Sequence, residues 1–230
     1  MMNKPVIKID VVSDVVCPWC YIGKRRLEKA INALSDKIDF EVEYHPFELN
    51  PDMPKEGRNQ REYLAAKFGG DERYRQITDR TEKTAALEGL KFDFNKQKIS
   101  PNTRDAHRLI ALAKEKGRQA ELKEALMSAY FEKGVDLTQT KNLVQVAAAH
   151  GLDARETEVF LMSDRLTEEV KMEEQINHRR GISGVPFYIV NNKYGVSGAQ
   201  PTEVFIRAFT EIGDQVPAQA GSCDVENKIC

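Results

Sequence analysis

Cys17-Pro18-Trp19-Cys20 stands where an apolar run, Val6 to Val16, gives way to a helical pattern from Tyr21 to about Leu34. The run reads as a buried strand, so the two cysteines fall at a strand-to-helix turn. Proline is favoured at the first helical position, where its missing N–H is no loss. Pro18 is then the first helical residue, Cys17 the N-cap and Cys20 the third helical residue. An N-cap side chain accepts hydrogen bonds from N–H groups of the first turn, and the helix dipole adds positive charge there. A cysteine so placed can have its pKa lowered to roughly 3.5–7.5. Cys17 is therefore the expected nucleophile. Cys20, one turn further on the same face, is the expected resolving thiol.

The chain has 230 residues, enough for one large domain or a domain with an insertion. Its 34 Lys and Arg against 36 Asp and Glu give a net charge of −2, which makes no case for nucleic acid or a membrane surface as a partner. Lys4, Lys8 and Asp10 interrupt the N-terminal apolar stretch, so it does not read as a signal peptide. The expected location is cytoplasmic. There are four cysteines. In a reducing compartment they read as redox-active or metal-binding rather than as a structural disulfide framework.

Outward from the turn, Val6–Val12 is mostly apolar, as expected of a central strand covered on both faces. Asp14, three residues before Cys17, reads either as a solvated turn residue or as a carboxylate carrying protons for the thiols. On the first helix Ile22, Leu27, Ala30, Ile31 and Leu34 form the apolar stripe, and Lys24, Arg25 and Arg26 read as its wet face. Ile38–Phe47 alternates apolar and polar residues, a strand pattern. Strand, helix and strand make a parallel βαβ unit. His45 within it reads as structural.

After the Pro51, Pro54 and Gly57 loop the pattern is almost wholly helical to about Arg180. Asp71, Ser100 and Thr138 are the expected caps, and Asp153 with Glu156 a capping box. His107 and His150 read as packing or surface residues. The β pattern returns at Gly184-Val185-Pro186. Phe187–Val190 and Lys193–Ser197 form a hairpin around Asn191-Asn192, and Pro201–Ile212 is a closing helix. The expected division is 1–57, first part of the main domain; 58–180, a helical insertion whose last helix returns to the core; 181–212, second part of the main domain; and 213–230, a tail.

This order, with the Cys-Pro-Trp-Cys turn and the Val185-Pro186-Phe187 step, resembles the DsbA family of thiol–disulfide oxidoreductases. The fold implied is α/β, a thioredoxin fold with a large inserted all-helical domain. The stretch from Ser13 to Gly23 is similar to the FrnE-type cytoplasmic branch. The resemblance implies that Pro186 is cis and stands beside the cysteines, keeping metal from the thiols. Cys17, Cys20 and Pro186 are then the catalytic set. Val185 offers its backbone to an extended substrate by strand addition. Trp19, the only tryptophan, with Pro18, offers an apolar platform. Trp19 stands where the strongly oxidising members carry histidine, and it cannot supply positive charge. The implied partners are disulfide- or dithiol-containing proteins, with glutathione as a small thiol partner, and no cofactor is required.

Cys223 and Cys230 form a candidate second redox pair. A linker of about ten residues spans roughly 15–20 Å as a random coil, enough to reach back to the active-site thiols; the alternative is two unrelated tail thiols. A second resemblance, to glutathione-dependent kappa transferases and hydroxychromene-carboxylate isomerases, shares the inserted fold. Those enzymes place serine where Cys17 stands. Zinc held by both cysteine pairs fits poorly, because six residues separate Cys223 from Cys230 where zinc pairs usually have two to four.

Overall fold

The computed structural model describes residues 4–215. β1 (Val6–Ser13), α1 (Pro18–Leu34) and β2 (Asp39–Pro46) form the βαβ unit. β1 and β2 are parallel, with Val6 opposite Asp39 and Ser13 opposite Pro46. A short ribbon pairs β3 (Arg58–Asn59) with β4 (Ile99–Ser100), enclosing α2 (Gln60–Phe68) and α3 (Asp71–Leu87). Then follow α4 (Arg104–Glu115), α5 (Gln119–Phe131), α6 (Thr140–Ala149), α7 (Ala154–Leu161) and α8 (Thr167–Arg179). β5 (Phe187–Val190), β6 (Tyr194–Ser197) and α9 (Thr202–Gly213) complete the described chain. The main sheet has the order β2-β1-β5-β6, and β5 is antiparallel to both its neighbours. This is a thioredoxin fold carrying a helical insertion. Among the described residues no helix is long and apolar enough to cross a membrane.

β1 is not covered evenly. Ile7, Ile9 and Val11 are buried against Leu27, Phe205 and Phe209, whereas Lys8 on the opposite face is exposed. Only the C-terminal end, Val12 and Ser13, is enclosed on both faces. The strand therefore becomes fully buried just before the cysteines. A second core joins Val15, Cys17, Cys20, Tyr21 and Ile22 to Phe92, Phe94, Leu109, Leu126 and Phe131 of the insertion. The redox turn lies on the seam between the two cores.

The charged face of α1 is only partly solvated. Lys24 is buried, and its ammonium pairs with Glu28 and, at 2.7 Å, with Glu124. Arg25 also binds Glu124, on α5, with one contact at 3.0 Å. Arg26 and Lys29 meet Glu88, at the end of α3, at 2.6 and 2.7 Å. These cations tie α1 to the insertion. Partners roughly 60 to 100 residues away leave no trace in the local pattern.

Some helix starts also move. Asp71 is the first helical residue behind Gly70, bound to Arg61 at 3.1 Å. Ser100 belongs to β4, and α4 opens behind Thr103, where the Asn102 side chain accepts from the Arg104 N–H at 3.0 Å. The α6 cap is Gln139, while Thr138 donates to Asp136. Asp153 does cap α7, accepting from the Glu156 N–H at 2.8 Å. Cys223 and Cys230 lie outside the described residues.

Candidate active site

Cys17 is the N-cap of α1 and Pro18 its first residue. The Cys17 carbonyl receives the Cys20 N–H at 3.0 Å and the Tyr21 N–H at 3.4 Å, which begins the helix. The thiol itself makes no capping bond. It donates instead to the Val185 carbonyl at 3.5 Å. A protonated thiol is a weak acceptor and seeks a carbonyl, so capping through sulfur fails in this state. Cys17 and Cys20 are both free thiols, buried at 4% and 3% exposure.

The Val185–Pro186 peptide is cis. Gly23 lets this loop approach α1: a Cβ built there would lie 2.3 Å from the Tyr188 Oη and 3.2 Å from Pro186 Cγ. Val185 thus lies against the N-cap of α1, where its carbonyl accepts from Cys17, and Pro186 lies against Gly23 one turn further along. Trp19 projects outward, 39% exposed.

Asp14 is fully buried, which overturns its reading as a solvated turn residue. Its backbone carbonyl receives the Cys17 N–H at 3.3 Å. Its carboxylate accepts from the Leu49 N–H at 2.9 Å and meets His107 Nε2 at 3.3 Å. His107 is buried with it, a partner that its helical spacing did not disclose. Close by, Arg104 binds the buried Glu48 at 2.8 Å, while Glu48 Oε2 and Glu174 Oε1 are buried without a partner among the described residues. Burial, with the Glu48 carboxylate beside it, pushes Glu174 up to about 8. His45 belongs to an ion cluster on the sheet edge, 3.1 Å from Glu173.

Lys123 of α5 is the residue the sequence reading missed. It is 1% exposed, with its ammonium donating to the Ser13 carbonyl at 3.4 Å and lying over the Tyr44 ring. Burial pushes it down to about 8, opposed by the negative potential of Cys20, Asp14 and Cys17. Burial also pushes the Cys20 thiol well up, reinforced by the Cys17 sulfur beside it and opposed by Lys123. A signal did exist. Lys123, Met127 and Tyr130 share one helical stripe and all three are buried, so this lysine interrupts an apolar face.

The two thiols are not equivalent. Cys17, Pro18, Trp19 and Val185 line a cavity of about 360 Å³ between α1 and the insertion, and Cys20 does not reach it.

The DSBA-like thioredoxin domain matches residues 8–210. The chain belongs to this family. The probable DsbA oxidoreductase SCO1869 of Streptomyces coelicolor is 35% identical, with 93% of each chain covered and a TM-score of 0.85. Two more distant structures share the fold. The cytosolic disulfide reductase DsbM of Pseudomonas aeruginosa, solved with GSH, is 16% identical, with 91% of this DSBA-like chain and 100% of DsbM covered and a TM-score of 0.65. A 2-hydroxychromene-2-carboxylate isomerase is 15% identical, with 90% and 97% covered and a TM-score of 0.69. Family membership supports an oxidoreductase role for the DSBA-like chain.

Proposed function

We propose that this DSBA-like protein exchanges dithiols and disulfides through Cys17 and Cys20, acting on disulfide-bearing proteins or small disulfides. The observation that carries the reading is the asymmetry of the pair: Cys17 opens onto the cavity while Cys20 lies behind it as a suppressed thiol beside Lys123. Cys17, as thiolate, attacks one sulfur of the substrate. One substrate thiolate leaves and a mixed disulfide forms. Cys20 then gives up its proton and attacks the Cys17 sulfur, expelling the second substrate thiolate. The substrate gains two electrons and the protein keeps a Cys17–Cys20 disulfide, which an external dithiol reduces. Run backwards, the same steps oxidise a substrate dithiol.

Each neighbour has a part in this scheme. Lys123, as an ammonium, moderates the cost of ionising Cys20. Asp14, in contact with His107, is the proposed carrier of the proton that leaves Cys20. Val185 presents backbone to an extended substrate and Trp19 covers it. We place the reaction in the cytoplasm, the compartment of DsbM, in keeping with the FrnE-like sequence of the turn. Cys223 and Cys230 are proposed to pass electrons to the active-site pair.

The test is reduction of a protein disulfide with dithiothreitol as the dithiol. Cys17→Ser is expected to lose turnover, and Cys20→Ser to accumulate a mixed disulfide visible as added mass. Turnover by Cys17→Ser equal to that of the unmodified chain would overturn the proposal. Removing residues 216–230 tests the tail: an unchanged potential of the Cys17–Cys20 pair and unchanged turnover would remove its assigned role.

A further inference from the structure

Polar residues seat α8 on the sheet. Its buried residues are Val170, Glu174 and Asn177, and of these only Val170 is apolar. Asn177 Nδ2 donates to the Pro46 carbonyl, at the end of β2, at 3.3 Å. Glu174 meets Glu48 just beyond, whose backbone N–H lies against the Glu174 carboxyl. Arg104 occupies Glu48 Oε1 at 2.8 Å, while Glu48 Oε2 and Glu174 Oε1 are left without a partner among the described residues. Buried polar atoms are normally hydrogen-bonded, and two carboxyls at one site do not both ionise. A single proton removes both faults. Glu174, as the neutral acid, donates, and Glu48, kept ionised by Arg104, accepts at Oε2.

The charges around the pair come from each element packed on it. Arg104 and His107 of α4 favour ionisation of Glu48, and Asp14 of the redox turn opposes it. Glu48, Arg104 and Asp14 also face Glu174. On α8 itself the His178 ring lies 5.0 Å from Phe47. Against three carboxyls stand one guanidinium and two imidazoles. Both members of the pair lead to the cysteines. Leu49, next to Glu48, donates its N–H to the Asp14 carboxylate at 2.9 Å and lines the cavity at Cys17. Beyond α8 the Ile182 N–H returns to the Asn177 carbonyl at 3.1 Å. Val12, Phe47 and Ile182 form one cluster, against which Leu49 and Val185 both pack. The Val185 carbonyl accepts from Cys17.

We infer that Glu48 and Glu174 are positioning residues that share one proton, and that this proton clamps α8 to the end of β2 and so holds Leu49 and Val185 in place for exchange at Cys17. With the proton lost, two carboxylates repel across the seam, α8 lifts, and the backbone contacts at the redox turn loosen. The inference rests on the exchange reading above and adds a control on it. Burial, with the Glu48 carboxylate beside it, holds Glu174 at about 8, so release falls near that pH. Thiol exchange by itself gains speed there, because the thiolate fraction rises with pH. The clamp works against that trend.

The experiment follows single-turnover reaction of the reduced full chain with 2-hydroxyethyl disulfide from pH 6.5 to 9.5, for the unmodified chain and for Glu174→Gln. The glutamine amide donates to Glu48 at every pH. Both chains carry the same Lys123 and the same thiols, so those titrations cancel in the ratio of rates. The ratio should be near one at pH 6.5 and approach roughly 30-fold in favour of Glu174→Gln at pH 9.5, for a competent fraction that halves near pH 8 and then falls tenfold per pH unit. Amide hydrogen exchange, corrected for the intrinsic rate at each pH, supplies the second measurement. In the unmodified chain α8 and residues 182–185 should lose protection between pH 6.5 and 9.5 while α5 keeps it, and in Glu174→Gln all three should keep it. A ratio that does not change with pH, or unchanged protection of α8 in the unmodified chain, overturns the clamp and leaves exchange standing. Failure of both chains to react at any pH sinks the exchange reading, and with it the positioning role, whatever the protection of α8.

Discussion

Replacing Lys123 with methionine separates what the fold needs from what the thiols need. The side chain keeps its length and loses its charge. A lysine brought from 10.5 down to about 8 carries its charge in the folded chain at an extra cost of roughly 3 kcal/mol, taking 1.36 kcal/mol per pKa unit. Below pH 8 the group is protonated in both states and the cost is felt in full. From pH 8 to about 10.5 the folded chain releases the proton while the unfolded chain keeps it. The unfolded state then binds more protons, so stability rises with pH and the cost fades. Methionine removes that cost and forfeits the bond to the Ser13 carbonyl and the contact with the Tyr44 ring. These losses are about 1 kcal/mol each. Lys123→Met should therefore be more stable than the unmodified chain by about 1 kcal/mol at pH 7. That gain should shrink by about 2 kcal/mol, and change sign, by pH 9.5. Turnover should move the other way. Without the positive charge Cys20 ionises less readily, so mixed-disulfide resolution should slow by roughly 10- to 100-fold at pH 7 and recover as pH rises. The assays are urea unfolding of the reduced protein at both pH values and single-turnover release of the second substrate thiol across the same range. A stability change independent of pH, together with a resolution rate like that of the unmodified chain, would falsify the placing of a charged lysine behind Cys20.

Two further substitutions probe the surroundings of that site. Glu174 is protonated in the fold up to about pH 8, so the folded chain binds more protons than the unfolded one between about 4.5 and 8, and stability falls as pH rises through that window. Glu174→Gln should match the unmodified chain near pH 4.5 and exceed it by on the order of 2 kcal/mol at pH 8, discounted for partial solvent access; urea midpoints at the two pH values decide it, and a constant difference refutes it. Gly23→Ala puts a methyl group 2.3 Å from Tyr188 Oη in a packed interior, so a loss of roughly 1–3 kcal/mol is expected in thermal or urea unfolding, and unchanged stability would show that the approach of α1 to β5 is looser than described.

The sequence displayed its local features openly and its long-range ones hardly at all. The Cys17–Cys20 turn, the Val185–Pro186 step and the helical periodicity were legible because each depends on neighbours within a turn or a strand. The roles of Lys24, Arg25 and Lys123 were not. A lysine on a helix reads as solvated until the opposing surface is known, and here that surface comes from Glu124 for α1 and from Ser13 and Tyr44 for α5. The β3–β4 ribbon escaped for the same reason, since two-residue strands some 40 positions apart leave no period to detect. Asp14 shows the consequence for function. Read locally, it is a polar residue in a turn. Folded, it is a buried carboxylate gripped by the Leu49 N–H and His107, and that burial makes its charge matter to Lys123. A motif therefore locates the sulfurs, but their reactivity is set by groups that only the packing of the insertion against the strand end brings within range. Lys123, His107 and the apolar cavity all come from that insertion. The DSBA-like core supplies the Cys17–Cys20 turn, and the helices laid over it bring Lys123 to where its charge bears on the ionisation of Cys20.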